Sequence, residues 1–290
     1  MSLPSDYEKR SAREKGDLLW ANVNADPYPD AKLPTRAPSP IARLKLFSVD
    51  FNKGSFVPGD ELPPDRPKLV HTYGTCARMS LRITEKHPYT GMLEQGGDAL
   101  VRFSDAKGGS AFLPSLAFKF FVDGRSSTNV LVLPSAYRDK GDLRCFSSAY
   151  CNATPPAKEL DSKLVQHSFQ KTAKAMGASR LYAVYLPLHD FASIRADGTK
   201  SENPVVPDRL EFVPTDGAKA ACPDLPDFRR ALAAIPVGTI LFRVFAAPNI
   251  DKPSEPIGEV RLDSPWVASA YGDTRLFFQH DAGPMGQHPH

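Results

Sequence analysis

The chain has 290 residues, with 36 basic and 33 acidic side chains and a formal net charge of +3. That length suits one large domain or two ordinary ones. So small a charge imbalance gives no argument for a nucleic-acid or membrane partner, and a hydrophobic share of 41% is that of an ordinary globular chain.

The N-terminal stretch, residues 1–20, is rich in Glu, Lys, Arg and Ala from Tyr7 to Leu19 and reads as a short helix. It lacks the apolar run of a signal peptide. Residues 22–40 are dense in Asp, Pro and Asn and read as an extended arm. Residues 41–47 alternate like a strand or a short amphipathic turn, and 51–67 are turn-rich. β-signals then crowd together, at 69–71, 77–83, 99–103, 117–122 and 130–133. Asp123-Gly124 is a hairpin-turn signal between the last two of these. Residues 157–176 carry apolar positions at the spacing of one helix face, with Gly177 as a stop. Residues 224–235 read as a second, shorter helix. The strand pattern returns at 181–187, 210–214, 239–246 and 257–262, and 271–279 read as one more strand. The tail, 281–290, is Gly, Pro and His, the composition of a disordered end.

The 28 prolines are spread along the chain. They punctuate many short segments, which suits a β-rich domain with long connections and excludes a helix bundle. No segment approaches the roughly 18 apolar residues of a membrane span. The four cysteines, Cys76, Cys145, Cys151 and Cys222, form no C-x-x-C pair and read as free packing thiols. These features together imply a single cytoplasmic domain over 1–290. Its class is α+β, mainly β: a large antiparallel barrel with inserted helices and an N-terminal arm over 1–40.

No dinucleotide, phosphate-loop, nucleophile-elbow or H-E-x-x-H motif is present. The stretch with the most chemistry in it is 68–104. It opens with Lys68-Leu69-Val70-His71-Thr72-Tyr73-Gly74-Thr75-Cys76-Ala77 and closes with Val101-Arg102-Phe103-Ser104. A His at the end of an apolar strand, followed by small residues, has open space over its imidazole. Taken alone, His71 is read as a buried core histidine with a hydrogen-bond partner.

The order of these parts resembles the haem catalases and their smaller relatives, including the allene oxide synthases. Val70-His71 followed by Gly74 and Ala77, then Val101-Arg102-Phe103-Ser104, then 116–121, then Asn129 before an apolar strand, appear in the order of that family. Ile257-Gly258-Glu259-Val260-Arg261-Leu262 resembles a later barrel strand of it. The resemblance implies a catalase-like barrel holding haem b and acting on hydrogen peroxide or an organic (fatty acid) hydroperoxide. It implies that His71 is the distal acid and base, that Ser104 orients it, and that Asn129 helps hold the peroxide. Arg102 and Lys68 would face the haem propionates, Lys68 as a point charge where the family carries Arg. The family binds iron through a tyrosinate in an R-x-x-x-Y pattern. Ala270-Tyr271-Gly272-Asp273-Thr274 is superficially similar, but Val267 stands where the Arg belongs. Tyr271 is thus either a shifted ligand or, as favoured here, a strand residue. The metal ligand stays unknown. The alternative is a degenerate, haem-free barrel binding another apolar ligand or a partner protein. A homo-oligomer is compatible with the Pro-rich arm.

Overall fold

The computed structural model describes residues 2–30, 33, 60–62, 73–105, 115–134, 181–185, 188–207, 209–223, 225, 227–248 and 252–278. Among the described residues, eight antiparallel strands close into a barrel in chain order: β1 (Tyr73–Ile83), β2 (Gly97–Asp105), β3 (Ser115–Phe120), β4 (Thr128–Pro134), β5 (Leu181–Tyr185), β6 (Arg209–Pro214), β7 (Ile240–Ala247) and β8 (Glu255–Leu262). β8 returns to pair with β1, Met79 opposite Leu262. The mainly-β antiparallel architecture expected from the alternating segments is therefore present. Among the described residues, no helix is long and apolar enough to cross a membrane.

Alternation decides which side chains fill the barrel. Ala77, Met79 and Leu81 of β1 join Ala99, Val101 and Phe103 of β2 and Leu116, Phe118 and Phe120 of β3 in one buried apolar cluster. Phe118 stacks on Phe120 and on Phe212, and Phe212 meets Phe242 edge to face. The opposite parity, Gly74, Cys76, Arg78, Leu100, Arg102, Ser104 and Lys119, faces outward.

That outward face is not left to solvent. Helix α1 (Ala12–Ala25) lays Leu19 and Val23 over Cys76, Leu100 and Phe121 in a second apolar cluster, which also takes Tyr7, Tyr271 and Leu276. α1 begins where Ser11 and Glu14 cap each other reciprocally, satisfying donors that the first turn leaves open. Its position is set by the β3–β4 turn. Ala12 N donates to Asp123 Oδ1, Gly124 N donates to Arg10 O, and the fully buried Lys15 Nζ donates to the carbonyls of Val122 and Arg125. Gly124 sits at φ +66°, the left-handed conformation that such a turn assigns to glycine. The sequence reading began the extended arm at residue 22; α1 instead runs to Ala25, because Asn22 and Val23 are buried on the barrel-facing side.

Short helices fill the connections: α2 (Met92–Gln95), α3 (Leu188–Ser193), α4 (Asp216–Ala221), α5 (Phe228–Ala233) and α6 (Ala270–Thr274). The last corrects the strand expected at 271–279. Ser269 caps Gly272 N and a helical turn follows, because 267 has already paired with Cys76 and the chain must reverse off the barrel. The helix expected over 157–176, the strand at 69–71 and the tail 281–290 lie outside the described residues.

Residues 60–62 clasp the outer layer. Asp60 accepts from Lys119 Nζ at 2.6 Å, Ser127 Oγ at 2.6 Å and Tyr7 OH at 2.8 Å. Its neighbour Glu61 accepts from Leu3 N and pairs with Arg275. The backbone of the clasp pairs with 275–277. Lys119 is 0% exposed, so deleting its charge leaves a carboxylate buried without its cation. Lys119→Met is expected to cost about 3–5 kcal/mol of stability, read from urea unfolding, the range for breaking a buried pair. A loss below about 1 kcal/mol, typical of exposed pairs, would contradict the account of this clasp.

Candidate functional site

The strand register sorts the expected site residues into rows on the outer face. Ser104 lies opposite Gly74 and Ser115. One row along, Arg102 lies opposite Cys76 and Ala117. The next row carries Arg78, Leu100, Lys119 and Asn129. Arg102 and Ser104 are therefore neighbours on one face of β2, both 3% exposed. His71 and Lys68 lie outside the described residues. β1 starts at Tyr73, two residues after His71, at the end of the barrel where Ser104 sits.

Asn129 is not brought to that end. It is four residues along and two strands across from Ser104. At about 3.4 Å per residue and about 4.8 Å between strands, the separation is roughly 17 Å. Its Oδ1 accepts from Lys119 Nζ at 2.9 Å, inside the Asp60 clasp. Lysine has only donors, so this contact fixes the amide oxygen toward Lys119. The described geometry gives Asn129 a part in the clasp instead of a place beside Ser104. The resemblance that suggested otherwise rests on a position just before an apolar strand, which says nothing of which row a residue joins.

Arg102 is the centre of what remains. Its Nη2 meets Asp273 Oδ1 at 2.8 Å, and the same oxygen accepts from Gly74 N at 2.9 Å. The pair is almost wholly buried. Glycine at 74 is what lets the guanidinium lie on the strand. A Cβ there would stand 2.6 Å from Arg102 Nη2 and 2.7 Å from the carbonyl oxygen of Phe103. Asp273 thus engages Arg102 through one nitrogen, whereas a carboxylate can engage a guanidinium through two. Arg102 Nε is buried and, among the described residues, has no hydrogen-bond partner. Leaving such a donor unmatched costs about 1–3 kcal/mol. Sequence reasoning missed Asp273, because nothing in the sequence joins residues 171 apart.

Tyr271 does not have the setting of an iron ligand. It lies in α6, packed in the second apolar cluster. A Cβ on the adjacent Gly272 would come within 3.1 Å of Cys76 Sγ, so helix and strand are in contact. Burial pushes the Tyr271 phenol well above its ordinary pKa, and nearby Glu61 adds to this against Asn22 and Arg275. A ligand has to be the phenolate. Its oxygen lies by Asn22 and Glu61 without closing a hydrogen bond of good geometry.

The described residues suit haem at one end and not at the other. The Arg102 end fits, since a buried N–H with no acceptor is what a carboxylate would satisfy. Tyr271 does not fit as the proximal ligand. Compared by sequence, the chain matches no protein-family model and no curated protein.

Tyr28 stands beside this pair. Burial first, then Asp273 and Asp26, push its phenol up to about 12 from 10.0, against the opposing charges of Arg229 and Arg102. The folded state thus favours the protonated phenol. That contribution is fully present below pH 10 and is lost as pH rises from there through about 12. Tyr28→Phe is expected to flatten the alkaline fall of the urea midpoint in that window relative to the wild type. Equal slopes in the two proteins would contradict the assignment.

Proposed function

We propose that the chain is a catalase-related haem protein that acts on hydrogen peroxide or an organic hydroperoxide, with its cofactor on the outer face of the barrel at the Arg102–Ser104 end. The observation that carries this is the buried Arg102 Nε without an acceptor, one row from Ser104 and at the end of β1 that follows His71. A guanidinium there would bind a haem carboxylate, with Lys68 as a second cation. Haem, when bound, supplies a redox-active iron at which the peroxide O–O bond is opened.

The chain's own share of the chemistry is proton handling. His71 would take the proton from one peroxide oxygen and return it to the other, work suited to an imidazole near neutral pH. Ser104 would hold the ring by a hydrogen bond. The iron ligand is assigned to none of the described residues, and Asn129 keeps its place in the clasp.

The filled interior supports the outer face as the binding side. The stacked rings of Phe118, Phe120 and Phe212 occupy the barrel where an enclosed ligand would otherwise sit. A second reading, a haem-free barrel that binds a partner protein or another apolar ligand, has one observation of its own. Arg102 already carries an acidic partner in Asp273.

Titration of the purified chain with haemin separates the two. The expected result is a saturable Soret band and peroxide turnover, with His71→Ala keeping the band and losing turnover by about 100-fold or more, the scale of a lost general acid–base. A protein that stays colourless under haemin would sink the haem reading and leave the second.

A further inference from the structure

Asp273 sits on a five-residue helix whose two ends are tied to different parts of the molecule. Before it, Val267 exchanges backbone hydrogen bonds with Cys76, Tyr28 N donates to Ala268 O, and Ala270 N donates to Asp26 O. After it, Arg275 joins the 60–62 clasp. Between these ties, α6 meets the strands where Gly272 lies against Cys76 and Tyr271 packs with Cys76 and Leu100, and where the carboxylate of Asp273 receives Arg102 Nη2 and Gly74 N on one oxygen.

We propose that Asp273 is a displaceable counter-ion, an internal carboxylate that holds Arg102 until the carboxylate of an anionic cofactor competes for it. This rests on the haem reading above and adds a gate to it. The guanidinium offers five N–H donors in a fixed fork. Asp273 meets Nη2 and leaves Nε buried and unfilled, so an incoming carboxylate that spans Nε and a terminal nitrogen makes a more complete match. A ligand shifts such an equilibrium only by its difference in affinity between the two states. Removing the Asp273 charge removes the competitor and so raises the affinity for the cofactor.

The test uses the full chain and haemin. Asp273→Asn is expected to bind haemin about tenfold more tightly than the wild type, in the range of typical coupling between sites. Arg102→Leu should weaken binding, and the double variant should match Arg102→Leu, because Asp273 acts through Arg102. Hydrogen exchange of the wild-type chain gives a readout that needs no variant to fold: amides at 267–277 should exchange faster once haemin is bound. Haemin bound equally by the wild type and Asp273→Asn, with exchange at 267–277 unchanged, overturns the gate and leaves the haem reading standing. No haemin uptake by any of these proteins overturns both.

Discussion

Closure of the eight strands is the constraint on which the rest depends. Once β8 pairs with β1, every strand has one face turned in and one turned out, and a one-residue slip would exchange them. The interior then has to be apolar, and it is taken by aromatic and branched side chains. Arg78, Arg102, Ser104 and Lys119 of β1 to β3 are left on the outer face. Arg102 and Ser104 are neighbours because they are two apart on one strand. Arg102 and Lys119 fall on different rows because the register puts them there.

Outward-facing charge cannot simply be buried, so the outer layer answers three of the strand cations with an acid brought from elsewhere in the chain. Asp60 comes to Lys119, Asp273 to Arg102 and Asp17 to Arg78. The first two pairs are desolvated, and losing one partner of such a pair costs more than the pair itself contributes. They differ in completeness. Asp60 is held by Lys119, Tyr7 and Ser127 together, while the Arg102 pair leaves a donor unfilled. The clasp therefore reads as architecture, and the unfilled donor of the Arg102 pair is what the proposed binding role rests on.

Much of this was legible in the sequence. The strands came through because their alternation is local: 99–103 against Gly97–Asp105, 130–133 against Thr128–Pro134, and 257–262 against Glu255–Leu262. The Asp123-Gly124 turn came through for the same reason. Helix α6 did not, since Tyr271, Leu276, Phe277 and Phe278 look like a strand until the pairing of Val267 with Cys76 forces a reversal. Among the site residues, the Arg102–Ser104 proximity needs only period two. The displacement of Asn129 and the arrival of Asp273 depend on register and on contacts across more than a hundred residues, which no local pattern encodes.

The central claim is that the outer face at Arg102, and not the barrel interior, is the cofactor side. A crystal structure of the chain grown with haemin tests it most directly. The account predicts a macrocycle against β1 and β2 with a carboxylate on Arg102 and Asp273 moved away from it. Haemin within the barrel, or an Arg102–Asp273 pair unchanged at full haemin occupancy, would contradict it.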